Sequence, residues 1–131
     1  MTGCPCGSGL AYADCCEPLH DGRATAETAE RLMRSRYAAY AVGRTDYVFR
    51  TWHPRTRPPD VEPTPGLRWV RLTILDVEAG GPHDTEGAVE FEAAYETSDG
   101  PGALHERSRF LRRGPRWVYL DGDIPAATNA P

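Results

Sequence analysis

The chain contains no lysine and no glutamine, and all fifteen of its basic residues are arginine. Such uniform usage is typical of the codon bias of a GC-rich genome, so a single arginine is weak evidence of a functional site here. No apolar run approaches the roughly 20 residues that a membrane-spanning helix needs, and the N-terminus lacks the basic and then apolar segments of a secretory leader. We therefore expect a cytoplasmic protein with reduced thiols and no membrane span.

The sequence also lacks a recognisable catalytic motif. No nucleophile motif, phosphate-binding loop or second metal cluster is present. The segment Gly7-Ser8-Gly9 is too short for a nucleotide-binding loop and has no lysine after it. The sequence therefore favours a protein without enzymatic activity and assigns no catalytic residue by motif.

Cysteine is absent from residues 17–131 and concentrated in the residues before them. The four cysteines are Cys4, Cys6, Cys15 and Cys16. Four thiolates are the ligands of a tetrahedral structural zinc site, and the glycines between the two pairs let the backbone reverse direction. The spacing therefore predicts one Zn²⁺ ion held by all four cysteines. His20 is a further candidate ligand, although we expect a solvated loop histidine there.

Two other interpretations of the cysteines remain open. A disulfide between the adjacent Cys15 and Cys16 would close a strained ring, and small disulfide frameworks rarely precede a long cysteine-free segment. A thioredoxin-type redox pair has two residues between its cysteines, whereas one residue or none intervenes here. Structural zinc is therefore the favoured interpretation.

The size of the chain suits one modest hydrophobic core. With 131 residues and 40% apolar content, the chain can form one globular domain in addition to a short finger. We predict a finger over residues 1–20, an α+β domain over residues 21–122 and a disordered tail over residues 123–131. A chelator should then unfold the finger while the domain, which has its own core, survives.

Charge is distributed unevenly along the chain. Residues 31–59 hold seven arginines and one aspartate, a net charge of +6, and residues 72–104 hold eight acidic residues and no arginine, a net charge of −8. We expect these two segments to lie beside each other in one fold. The finger contains acids and no arginine, and four thiolates around one divalent ion add two negative charges. Nucleic-acid binding by the finger is therefore disfavoured.

Helical periodicity is followed by strand periodicity. Apolar residues three and four apart predict a helix over residues 26–42 with Thr25 as its N-cap and Gly43 at its end. A second helix is predicted over residues 45–52, before a loop with five prolines that ends at Gly66. Alternating patterns then predict four strands, near residues 67–78, 89–96, 103–112 and 116–121. Helices followed by an antiparallel meander indicate an α+β fold with the helices on one face of a curved sheet.

The third predicted strand carries the candidate polar site. Alternation places Glu106 and Ser108 on its inward face, where a carboxylate needs a partner. The first helix offers Arg34 and Arg36, and an ion pair that fixes helix to sheet is favoured over a catalytic acid. His53, beside the proline-rich loop, is a candidate pocket base, although a capping role is favoured.

The cysteine segment resembles the SEC-C motif, a small zinc module found on the SecA translocation motor and on many bacterial proteins. The resemblance rests on Cys4-Pro-Cys-Gly-Ser-Gly-Leu-Ala-Tyr-Ala-Asp-Cys-Cys16 and covers about one tenth of the chain. It implies that all four cysteines are zinc ligands, in an all-cysteine variant of a motif that often has histidine at position 16. It also implies that Ser8 and Tyr12 support the finger and its partner surface.

The remainder resembles the YchJ-like family of uncharacterised bacterial proteins. The matching segments are Leu32-Met-Arg-Ser-Arg-Tyr37, Thr51-Trp-His-Pro54, His105-Glu-Arg-Ser-Arg-Phe110 and the stretch from Trp117 to Gly122. This resemblance implies a fold of the nuclear transport factor 2 (NTF2) type, a cone of helices around a strongly curved antiparallel sheet. The resemblance implies no particular activity.

Two functions are compatible with these features. In the first, the closed zinc finger docks on a protein or ribosome-associated partner, and the cone domain is a platform or binds a small ligand. In the second, the cone cavity is the site of an enzyme or of a ligand-binding protein, with Glu106, His53, Ser108 and Arg34 or Arg36 as its polar groups. Nucleic-acid binding through the arginines of residues 31–57 is a disfavoured third hypothesis.

Overall fold

The helical pattern of the first half of the chain forms three helices. The structure, a computed structural model, describes residues 3–124. The helices are α1 (Glu17–His20), α2 (Ala29–Val42) and α3 (Thr45–Arg50). Among residues 3–124, no helix is long and apolar enough to cross a membrane.

The first residues of α2 differ from the prediction. The N-cap is Thr28 and not Thr25, because the Thr28 hydroxyl accepts a hydrogen bond from the backbone N–H of Arg31 at 3.0 Å. The helix ends as predicted, where Gly43 adopts a left-handed φ of 82° that glycine takes without steric cost. The helical turn α1 was not predicted, since residues 17–23 have the composition of a polar connector.

The alternating pattern of the second half forms one antiparallel sheet in the order β1-β2-β3-β4. Its strands are β1 (Arg68–Ala79), β2 (Glu86–Thr97), β3 (Gly100–Arg113) and β4 (Arg116–Asp123). The predicted disordered tail begins inside β4 at Asp123, and residues 125–131 lie outside the described residues. Helix α2 packs across the sheet, and Leu32, Val89 and Phe110 are buried between the two layers. The predicted α+β fold, with helices on a curved antiparallel sheet, is confirmed.

Several acidic residues of the strands pair with arginines of the same sheet and not with those of the basic segment. The Arg107 guanidinium pairs with Asp76 at 2.9 Å, Glu78 at 2.7 Å and Glu90 at 3.1 Å. Arg109 pairs with both aspartates of β4, at 2.6 Å each. Within residues 3–124, none of the ion pairs joins residues 31–59 to residues 72–104. The two charged segments lie beside each other as predicted, because α2 packs on β1 and β2, but most of these arginines face the finger.

Candidate functional site

The four cysteines converge in a short hairpin before α1. The backbone N–H of Cys4 donates to Leu10 O at 2.8 Å, which closes the hairpin, and a short 3₁₀ turn at Tyr12–Asp14 leads back to Cys15. All four cysteines are buried, and none forms a disulfide. Their Sγ atoms all lie within 4.8 Å of one another.

These distances fit a tetrahedral metal. Zn–S bonds of about 2.3 Å at tetrahedral angles place the sulfurs about 3.8 Å apart. The Sγ of Cys15 lies 3.6 Å from that of Cys6 and 3.9 Å from that of Cys16, whereas a disulfide needs about 2.05 Å. A hydrogen bond from Cys16 lowers the pKa of the Cys6 thiol to about 4 and raises that of Cys16. A buried thiolate beside further thiols is a donor set for a soft or borderline metal ion.

Two arginines of α2 compensate the negative charge of this cluster. Arg31 donates to Cys16 Sγ at 3.4 Å and to Cys15 O at 2.6 Å. Arg34 donates to Cys6 O at 2.7 Å and to Glu30 at 3.1 Å. Hydrogen bonds of this kind orient metal ligands and stabilise their charged form. The basic segment therefore serves the finger, whose own residues include no arginine.

The prediction of Arg34 as a cavity residue is wrong, because its side chain lies on the other side of α2. Arg34 and Arg36 are two positions apart on a helix, which is about 200° of rotation, so the two side chains point to opposite sides of α2. The side with Arg34 contacts the finger, and the side with Arg36 contacts the sheet.

His20 is not the solvated histidine that we predicted. Its side chain is buried, with 1% of the residue exposed. Its Nε2 lies 2.8 Å from Ser35 O, and its Nδ1 lies 2.6 Å from the Tyr12 hydroxyl. Nε2 therefore carries the proton, and Nδ1 accepts from tyrosine. Both nitrogens are engaged outside the cysteine cluster, so His20 positions Tyr12 and α2 and is not placed as a metal ligand.

A cavity of about 280 Å³ lies on the other side of α2, between this helix and the sheet. Its volume is close to the lower end of the range for small-molecule sites. Six aromatic side chains form most of its wall, namely Tyr37, Tyr40, Trp52, Trp69, Phe91 and Tyr119. Three of the predicted site residues, Arg36, Glu106 and Ser108, line it as well. The arrangement is an apolar pocket with a few polar groups.

Arg36 is the cation of the cavity. It is only 4% exposed, and its guanidinium lies 5.1 Å from the ring centre of Trp52 and 4.7 Å from that of Tyr119. Its Nη1 donates to Val48 O at 2.9 Å and to Thr51 Oγ1 at 2.7 Å. Burial lowers the pKa of Arg36, and the two aromatic rings offset part of this cost through cation–π attraction.

Glu106 does not form the predicted ion pair. Its Oε2 accepts from the Ser108 hydroxyl at 2.9 Å and from the Tyr119 hydroxyl at 3.0 Å, and no arginine of residues 3–124 pairs with it. Burial and the adjacent Glu106 carboxylate raise the pKa of Tyr119, so that its hydroxyl remains a donor. The side chain of Glu106 lies against Gly122 on β4, where any Cβ would collide with Oε2.

The cavity includes residues that sequence reasoning missed and lacks two that it proposed, Arg34 and His53. His53 does not line the cavity, since its Nδ1 accepts from the backbone N–H of Arg55 at 3.0 Å. Its neighbour Trp52 does, and the buried indole N–H of Trp52 has no hydrogen-bond partner within residues 3–124. The Tyr119 hydroxyl was missed too. The sequence signal for both residues is a large aromatic side chain, which lies beside a turn for Trp52 and in a short strand for Tyr119.

A cysteine-rich finger packed on a helical layer and a curved sheet defines a class of proteins, those that join a SEC-C motif to an NTF2-like domain. Residues 3–18 match the SEC-C motif, and residues 28–122 match the family described as YchJ, middle NTF2-like domain. The chain belongs to this YchJ-like family.

Relatives and solved structures agree with this membership. The chain is 51% identical over 121 residues to a UPF0225 protein of Streptomyces coelicolor, covering 92% of this chain and 94% of the relative. It is 50% identical over 120 residues to a UPF0225 protein of Deinococcus radiodurans, covering 90% and 86%. The solution structure of a SEC-C motif containing protein from Rhodopseudomonas palustris is similar, with a TM-score of 0.82, 34% identity and coverage of 93% and 98%.

Proposed function

We propose that this protein binds a small molecule in the aromatic cavity under α2, and that a structural Zn²⁺ ion in the four-cysteine centre fixes α2 above that cavity. One observation carries the proposal. Arg36 is a buried cation without an ion pair among the described residues, and it lines a cavity rather than a filled core. Burying such a charge is costly unless something compensates it, and a ligand would do so.

The donor set supports zinc as the ion. Four thiolates satisfy its tetrahedral preference and leave no open position for a substrate, so the role of the ion is structural. Thiolates in this number need a reducing compartment such as the cytoplasm. Metal analysis of the purified protein should give one zinc per chain, and Cys15→Ser should reduce it while the neighbouring exposed control Asp14→Asn should not. Equal zinc in both variants would refute the assignment.

Ligand binding is testable by a thermal-shift screen of the zinc-loaded full chain against small aromatic compounds. We expect a subset to raise the melting temperature, and we expect Arg36→Met and Glu106→Gln to remove the effect. Arg107→Met is the matched control, because it removes an arginine from the outer face of the same sheet. A screen without stabilising compounds, or shifts that persist in both cavity variants, would contradict the proposal.

Docking of the finger on a protein or ribosome-associated partner is the second candidate function. The loop from Gly7 to Leu10 is exposed, and Leu10 at its end is 54% exposed. Leu10 is the apolar side chain of this loop that a protein partner docked on the finger would cover. Pull-downs with Leu10→Ser and Cys15→Ser should lose such a partner, and recovery equal to wild type would exclude it.

Binding to nucleic acid is not part of this proposal. Arg31, Arg34, Arg44 and Arg50 donate to the finger, and Arg36 donates into the core. They therefore do not present the continuous basic surface that phosphate backbones require.

A further inference from the structure

The polar groups of the cavity form two opposite charges that are close but not paired with each other. Arg36 Nη1 donates to Val48 O and Thr51 Oγ1. Glu106 Oε2 accepts from Ser108 and Tyr119. Arg36 Nε and Nη2 and Glu106 Oε1 have no hydrogen-bond partner among residues 3–124.

Trp52 is a third residue of the cavity with an unpaired hydrogen-bonding group. The indole N–H of Trp52 is buried without a partner, and the Trp52 ring stacks on the guanidinium of Arg36. Buried donors are paired with protein or solvent in nearly all native structures. The indole nitrogen has almost no accessible surface, so Arg36 and Glu106 are the charged groups that a ligand in the cavity can reach.

Electroneutrality restricts what that ligand is. The cavity already holds one positive and one negative charge, so a ligand with a single net charge would leave one charge buried without compensation, which is unfavourable. A ligand with both charges would neutralise each side. We infer, resting on the ligand-binding function proposed above, that the cavity takes a small aromatic zwitterion, with its carboxylate at Arg36 and its ammonium group at Glu106. The aromatic ring would lie against the wall formed by Tyr37, Trp69 and Phe91.

Four probes with the same phenyl ring test this inference. L-Phenylalanine carries both charges, 3-phenylpropanoate lacks the ammonium group, 2-phenylethylamine lacks the carboxylate, and 3-phenylpropan-1-ol lacks both. Titrations of the zinc-loaded full chain, followed by calorimetry or by NMR, give the four affinities. We expect L-phenylalanine to bind most tightly, and each compound that lacks a charge to bind about tenfold or more weakly, because bonds to charged groups are strong in a buried site.

Two variants test which protein residue contacts each charged group of the ligand. Glu106→Gln should abolish the preference for L-phenylalanine over 3-phenylpropanoate, and Arg36→Met should abolish its preference over 2-phenylethylamine. If Arg36→Met does not fold, Arg36→Lys keeps the positive charge and removes the guanidinium donors, and it should reduce the same preference.

The outcomes separate this inference from the function on which it rests. If the alcohol binds as tightly as L-phenylalanine, or if other fragments bind in the cavity and none of the four probes does, the zwitterion inference is overturned and the ligand-binding function stands. If no compound of any kind binds, both are overturned.

Discussion

Removal of the metal should destabilise the whole domain and not only the finger. The sequence alone predicts that the domain survives a chelator, but the structure joins the two parts closely. Leu19, inside the predicted finger, is buried in the same core as α2 and the sheet. In the described part of the chain, six hydrogen bonds connect finger residues to arginines of the helical layer; the donors are Arg31, Arg34, Arg44 and Arg50.

The magnitude follows from these contacts. Hydrogen bonds contribute about 0.5–1.5 kcal/mol each, so six partly exposed ones contribute roughly 3–6 kcal/mol. A typical domain is stable by about 5–15 kcal/mol, so their loss is a large fraction of the total. At about 3–4 °C per kcal/mol for a chain of this size, the melting temperature should fall by about 10–20 °C.

Differential scanning calorimetry with and without excess chelator measures this shift. We expect one cooperative transition at the lower temperature, restored by added Zn²⁺, and no further effect of chelator on Cys15→Ser. A main transition that keeps its temperature in chelator, with only a small separate transition lost, would refute the reasoning.

Three further perturbations have defined outcomes. Burial lowers the pKa of His20 below its usual 6.5, so the unfolded state binds more protons than the folded state. The free energy of unfolding should therefore fall as pH drops below about 6.5, by up to about 1.4 kcal/mol per pH unit. Denaturation at several pH values measures this dependence, and His20→Gln should flatten it. Arg31→Met removes a donor to Cys16 Sγ and should weaken zinc retention about tenfold in a chelator competition, whereas equal retention would contradict the charge-compensating role. Gly122→Ala should displace Glu106 and abolish ligand-induced thermal shifts, and unchanged shifts would show that Glu106 does not contact the ligand.

The parts of the site that could be predicted are those set by local pattern. A strand alternates its faces every two residues, so Glu106 and Ser108 were placed correctly on the inward face of β3 from the apolar residues around them. The cysteine cluster was also predictable, because a four-thiolate site is formed by residue type and short spacing within one segment.

The rest depends on contacts between distant segments. The apolar stripe of α2 was assumed to define one buried side, but this helix is covered on both sides, by the finger and by the sheet. Arg34 therefore contacts the finger and not the cavity, and Ser35 is fully buried. Trp52 meets Tyr119 because the backbone after α3 pairs with β4, where Tyr119 N donates to Thr51 O at 2.8 Å. No local pattern predicts that pairing.

One helix thus connects the two sites of the molecule. Arg31 and Arg34 face the cysteine centre, while Arg36, Tyr37 and Tyr40 face the cavity. An ion in the cysteine centre would hold one side of α2 and thereby the geometry of the other side, so under our proposal the finger would influence ligand binding without any contact between metal and ligand.

The most direct test of ligand binding is the NMR signal of the Trp52 indole N–H. Trp52 lines the cavity with a free indole donor, whereas the Trp117 indole N–H donates to Glu27 O at 3.1 Å and serves as an internal control. During titration with the aromatic compound that gives the largest thermal shift, the Trp52 signal should move saturably while the Trp117 signal stays in place. A Trp52 signal that does not move while the compound binds, or equal movement of both signals, would contradict the cavity as the binding site.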